Sequence, residues 1–213
     1  MRMDISSTSY LKLCKELTSP TMNLDDIALI INCDAHLTYK LLQRMKTIQY
    51  YRGNNIKSIK HALVMMGNEE VRRWIMLILI RGIVHVRSDE LIRTALIRAL
   101  MCEKLARESG SQQYAYSAFS TGMFSILIAN KELNTENLKD INLPKDILDA
   151  LTGSDNILKR ILDICVCYEQ GQWNKLEYIV SYTVSNIDQS ILPGLYLESV
   201  TSADEMFDKE NNL

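Results

Sequence analysis

Seven apolar residues in a row, Trp74 to Ile80 (WIMLILI), stand between Arg72-Arg73 and Arg81. A membrane-spanning helix needs about 20 apolar residues, so a short run closed off by arginines must find its cover inside the protein. If it is a helix, it is apolar on nearly every side and belongs at the centre of a bundle, wrapped by other helices. The rest of the chain supplies the wrapping. Glycine (8) and proline (3) are scarce in 213 residues, whereas a β-rich fold with many tight turns uses more of both.

Helical period and punctuation recur along the chain. Tyr10, Leu13, Cys14 and Leu17 share one face, with Ser7 or Thr8 placed to cap and Pro20 to stop. Asn23 caps a helix with Leu24, Ile27, Ala28 and Ile31 inward; Asp34 caps the next, with Leu37, Leu41, Leu42 and Met45 inward. Tyr50 to Asn55 is a break. Ser58 opens a short helix carrying Ile59, Ala62, Leu63 and Met66, which Gly67 ends. Glu69 and Glu70 begin the central helix, where its dipole favours acids. Ser88 or Asp89 opens a long amphipathic helix ended by Gly110, and Tyr114 to Asn130 forms an apolar one. Lys131 to Asn142 is polar and reads as a mobile connection. Leu143-Pro144 restarts the chain, Ser154 or Asp155 opens a helix holding Leu158, Ile161, Leu162 and Cys165, and Trp173, Leu176, Val180 and Val184 mark another. Pro193 opens a last helix through about Phe207. The expectation is an all-α, compact bundle of roughly ten helices, with a half over about 7–85 and another over about 88–207 in a single domain spanning 1–213.

Charge narrows the partners. With 24 basic against 26 acidic residues, the net of −2 argues against a nucleic-acid footprint, which wants a basic face. The N-terminus lacks the basic-then-apolar order of a signal peptide, and no membrane association is expected. The five cysteines, Cys14, Cys33, Cys102, Cys165 and Cys167, are odd in number and sit in apolar helical pattern, so reduced core thiols in the cytoplasm are expected rather than a disulfide framework.

The order of motifs resembles a known family. LDDIALIINCDAHLTYKLLQRM, then SIKHALVMMGNEEVRRWIMLILIRGI, then LIRTALIRALMCEKLA and AFSTGMFSIL are similar to the HDOD domain, a helical relative of the metal-dependent HD phosphohydrolases. LDICVCYEQGQWNKLE is similar to the closing motif of HDOD domains that follow a cyclic-di-GMP phosphodiesterase (EAL) domain in bacterial polypeptides. The likeness covers most of residues 9–200 and implies an HD-like bundle. Two departures stand out: Asp34-Ala35 replaces the family's Asp-Pro, and Lys46-Thr47 its frequent Asn-Ser.

A hydrolytic HD site needs an adjacent His-Asp doublet with a further His and Asp, because a hard divalent ion wants imidazole and carboxylate donors together. No His-Asp dipeptide occurs in the chain. The resemblance sets the doublet's position at Ser125-Ile126 and the upstream histidine near Thr94, which makes these degenerate former metal-site positions. His36, His61 and His85 lie in separate segments without a second His at i+3 or i+4. There is no glycine-rich phosphate loop and no G-x-S-x-G. Cys165-x-Cys167 has the wrong spacing for zinc or dithiol chemistry and reads as one core and one flank thiol. Arg72, Arg73 and Arg81 read as surface arginines beside an apolar helix, with Arg93, Arg98 and Lys104 as candidates to join them in a basic groove.

The resemblance therefore implies a non-catalytic signalling domain, without a cofactor, that binds a protein partner or an associated EAL or sensory domain. At 213 residues the chain leaves no room for an EAL domain, so cyclic-di-GMP hydrolysis would belong to a separate part. The alternatives are a diverged HD-type metal-dependent nucleotide phosphohydrolase, or a cleft that binds a nucleotide without turnover. The candidate partner-binding face carries Lys46, Tyr50, Tyr51 and Arg52, where aromatics and cations meet at a break between helices.

Overall fold

The computed structural model describes residues 7–18, 22–46, 56–83, 89–129, 143–183 and 187–211. Every regular element among them is helical, as the punctuation predicts. Contact density divides the chain into two compact units, one holding residues 1–87 and the other most of 88–207.

The first unit holds α1 (Ser7–Thr18), α2 (Leu24–Asn32), α3 (Ala35–Met45), α4 (Ile59–Met66) and α5 (Asn68–Ile83). The expected caps are in place: the Asn23 side chain accepts from the Asp25 N–H at 2.9 Å, Asp34 from His36 and Leu37, and Ser58 from His61. Each satisfies an amide that the first helical turn leaves without a partner, for about 1 kcal/mol apiece. Gly67 ends α4 at φ 81°, a backbone region that a side chain would strain. Trp74 to Ile80 are all buried, each at 2% exposure or less, so α5 is the core helix its sequence demands. Leu13, Leu17, Ile27, Ile31, Leu37, Leu41 and Leu63 join it in the core.

One inward assignment on α3 is wrong. Leu42 faces outward and Arg44 takes the inner place, so the buried stripe runs Leu37, Leu41, Arg44, Met45. That stripe keeps the helical period, i, i+4, i+7, i+8, which Leu42 breaks. Arg44 is tolerated there because its guanidinium pairs with Glu70 of α5; a buried charge without such a partner would be strongly destabilising.

The second unit holds α6 (Asp89–Glu108), α7 (Ala115–Ala129), α8 (Lys145–Thr152), α9 (Ile157–Glu169), α10 (Trp173–Thr183) and the greater part of α11 (Leu192–Asn211). Its central pair is α6 and α7, whose approach is set by Gly122: a Cβ there would stand 2.9 Å from the Ala99 Cα and 3.0 Å from the Arg98 carbonyl oxygen. The cap of α9 is Asn156, which accepts from the Lys159 N–H at 2.9 Å, and not Ser154 or Asp155. Asp155 is instead held by the Arg160 guanidinium. The segments Tyr50 to Asn55 and Lys131 to Asn142 lie outside the described residues.

Candidate functional site

The three positions that the resemblance aligns with a hydrolase metal site meet different fates. Thr94 turns its hydroxyl back onto its own helix and donates to the Glu90 carbonyl at 2.8 Å. Ile126 is core at 5% exposure. Ser125 alone takes part in a polar cluster. Its hydroxyl donates to the Gly122 carbonyl at 2.7 Å and accepts from Arg98 Nη1 at 3.1 Å.

Arg98 is the centre of that cluster. It lies on the inner stripe of α6 between Ala95, Ala99 and Cys102, and is 8% exposed. Its Nε lies 3.0 and 2.9 Å from the two carboxylate oxygens of Glu169, and Nη2 donates to the same carboxylate. A planar guanidinium matches a carboxylate in this forked geometry, which makes the pair both directional and strong. Arg98 thus ties α6 to Ser125 on α7 and to Glu169 at the C-terminal end of α9. Ala95, about one turn before Arg98, and Ala99, the next residue, are both small and fully buried beside it.

These donors do not fit a divalent metal ion. Ser125 already faces a fixed positive charge, Glu169 is committed to that charge, and Ile126 has nothing to offer. Among the described residues, no three His, Cys, Asp or Glu side chains are grouped to hold a metal. His36 and His61 sit apart at the starts of α3 and α4, with His61 Nδ1 accepting from the Lys57 N–H at 3.3 Å; His85 lies outside the described residues.

Beside the cluster, Cys102 of α6 and Cys165 of α9 are both buried. Burial first, and then the neighbouring Cys102 thiol, push the Cys165 thiol well above the usual range. Burial also raises Cys167, which is core and not the expected flank residue. A thiol held protonated at neutral pH is a poor nucleophile. Cys33, by contrast, is exposed.

The α6 cations, candidates for a basic groove, each meet an acid of the second unit. Arg93 binds Asp204, Arg98 binds Glu169 and Lys104 binds Glu198, three different acids. In the first unit Arg72 donates to the Leu17 carbonyl at 2.7 Å, tying α5 to the end of α1, and Arg73 lies 3.8 Å from Glu69 on its own helix.

Of the candidate partner-binding residues, Lys46 caps the C-terminal end of α3 and is exposed, while Tyr50, Tyr51 and Arg52 lie outside the described residues. Lys46 continues a stripe that sequence reading missed. Tyr39 (55% exposed) and Leu42 (44%) precede it at three- and four-residue spacing on the outer face of α3. Tyr39 Oη accepts from Gln43 at 2.7 Å. The signal was available: once Leu37, Leu41 and Met45 fix the inner stripe, Leu42 has to point away.

Two curated relatives are similar to the chain. The chain is 29% identical over 171 residues to a Bacillus subtilis protein named uncharacterized protein YuxH, covering 78% of this chain and 41% of that one. It is 28% identical over 168 residues to the cyclic di-GMP phosphodiesterase CdgJ of Vibrio cholerae, covering 78% of this chain and 39% of that one. The chain thus spans about two fifths of the length of these relatives. No solved structure matches it. The HDOD domain family matches residues 5–127, a stretch that includes Thr94, Arg98, Ser125 and Ile126 and stops short of Glu169. Since that match takes in more than half of the 213 residues, the chain belongs to the HDOD domain family.

Proposed function

We propose that this protein is a non-catalytic regulatory domain of bacterial cyclic-di-GMP signalling, an HDOD-like domain over 1–213 that acts in the cytoplasm by binding a partner protein. The observation that carries the reading is the Arg98 guanidinium on Ser125 and Glu169. If Ser125 stands where the resemblance sets the metal doublet, a fixed cation occupies the position at which a hydrolase would need open donors. The likeness to a protein named a cyclic di-GMP phosphodiesterase supports the signalling context. An EAL or sensory domain, in the same polypeptide or in another, is the partner class this reading favours.

The proposed docking face is the outer side of α3, with Tyr39, Leu42 and Lys46, together with Tyr50, Tyr51 and Arg52, which follow in the sequence. Two apolar side chains beside a cation on one helix face are what a partner helix or groove can cover, and tyrosine and arginine are enriched where binding energy concentrates. The test is to identify a partner by cross-linking in the native bacterium and then to measure its affinity for the purified chain. Leu42→Glu, Lys46→Glu and Tyr51→Ala should each weaken binding while the fold is retained. Unchanged affinity in all three would place the interface elsewhere.

A further inference from the structure

A second surface lies in the other unit, at the turn from α9 into α10. Tyr168, near the end of α9, meets Trp173 edge-on, with ring centroids 5.6 Å apart and planes at 82°. It also contacts Tyr196 of α11 at 5.4 Å. Gly171 makes the turn at φ 65°, and the indole of Trp173 lies over it: a Cβ there would be 3.9 Å from three ring atoms. The indole is thus supported on one edge by Tyr168 and beneath by Gly171. Yet Trp173 remains 59% exposed. A large aromatic side chain supported by a neighbouring ring yet open to solvent is suited to contact, because an aromatic ring brings much area and has only two side-chain torsions to lose on binding.

The charge around it has a sign. Glu177 lies four residues after Trp173, one turn along the same face of α10, and is exposed. Tyr178, at 64% exposure, flanks Glu177 on its other side. The cation of this helix, Lys175, is two residues from Glu177 and so points away from it. An indole face and a carboxylate one turn away on the same helix face together select a cation.

From this geometry we infer that Trp173 and Glu177 form a docking point for an arginine side chain presented by a basic peptide segment. Arginine suits it better than lysine, because a flat guanidinium stacks on the indole while its N–H groups reach the carboxylate. A peptide is the fitting source, because this surface does not enclose a small free molecule and further affinity has to come from neighbouring chain, for which Tyr178 offers apolar area. This inference does not depend on the proposal for the α3 face.

The probe is a capped peptide, Ala-Arg-Leu-Arg-Ala, titrated into the ¹⁵N-labelled full chain. The protein has two tryptophans, and Trp74 is buried at 1% exposure, so its indole resonance serves as an internal reference. The Trp173 indole N–H signal should shift saturably while that of Trp74 stays fixed. Affinity followed by calorimetry should fall about three- to thirty-fold in Trp173→Ala and about two- to five-fold in the isosteric Glu177→Gln. Replacing both peptide arginines by glutamine should abolish binding, and replacing them by lysine should weaken it. Affinity unchanged in Glu177→Gln, or equal affinity for the glutamine peptide, would overturn the inference. Because Glu177→Gln alters an exposed side chain, it tests the idea even if Trp173→Ala fails to fold.

Discussion

Arg98 and Glu169, 71 residues apart in sequence, meet through a forked set of charge-assisted hydrogen bonds, and the same guanidinium reaches the Ser125 hydroxyl at 3.1 Å. Three helices of the second unit are joined by one side chain. The connection is made by the arginine side chain itself.

The two partners are 9% and 14% exposed, so losing one leaves the other charged, desolvated and alone. Arg98→Ala should cost about 3–5 kcal/mol in urea unfolding. The double change Arg98→Met with Glu169→Leu should recover most of that loss, since a buried ion pair replaced by apolar packing is often neutral. A double variant as unstable as the single would show that the pair serves more than its own neutralisation.

Gly122 sets the spacing of α6 and α7, because a methyl group there would stand 2.9 Å from the Ala99 Cα, which is backbone and cannot swing aside. Gly122→Ala should therefore cost about 1–3 kcal/mol even though alanine is the better helix former. Thermal unfolding measures it. A stabilised variant would mean that the two helices separate without penalty.

Hydrogen bonding to Arg93 holds the Asp204 carboxyl below its ordinary value, and Arg160 does the same for Asp155. A depressed folded-state value stabilises the folded protein above the unfolded carboxyl's pKa, near about 4. That contribution is lost as pH falls through the lower folded value. Asp204→Asn should accordingly lower stability at neutral pH slightly, and make unfolding less pH-dependent below about pH 4. Denaturant midpoints between neutral and acid conditions provide the check; parallel curves for the variant and the parent would contradict it.

Thiol reactivity should follow burial. Cys33 is exposed, whereas Cys102, Cys165 and Cys167 are buried, with Cys165 and Cys167 raised chiefly by burial. Among these four, iodoacetamide at neutral pH should label Cys33 first and leave the others until denaturant is added. Mass spectrometry of the labelled peptides reads this directly, and early labelling of Cys165 would indicate an open cleft between α6 and α9.

On α3 the two faces should separate in stability measurements. Leu42→Glu lies outward and should change stability by less than about 0.5 kcal/mol, whereas Arg44→Ala removes the buried partner of Glu70 and should be strongly destabilising. Equal effects would mean that the stripe is misassigned.

Much of the helical plan was legible in the sequence. Asn23, Asp34 and Ser58 announce their helices by capping chemistry, and Trp74 to Ile80 announces the core by having no polar face. What the sequence hid was long-range polar pairing. Arg44 and Arg98 look like surface residues because arginine usually is one, and nothing local names Glu70 or Glu169 as partner. Asn156 was missed as the cap of α9 because Ser154 and Asp155 offered the same chemistry one and two residues earlier. The motif around Tyr168 and Trp173 was noticed as a likeness, but its physical content, a T-shaped ring contact across a left-handed glycine, depends on geometry that spacing alone does not give.

The most direct test is an assay of the purified 213-residue chain for phosphodiester hydrolysis, with cyclic di-GMP as substrate and Mg²⁺, Mn²⁺ or Fe²⁺ supplied, alongside its metal content after purification. With Arg98 seated on Ser125 and Glu169, no stoichiometric metal should be retained and no chelator-sensitive turnover should be seen. A tightly held ion, with turnover that a chelator abolishes, would contradict the account.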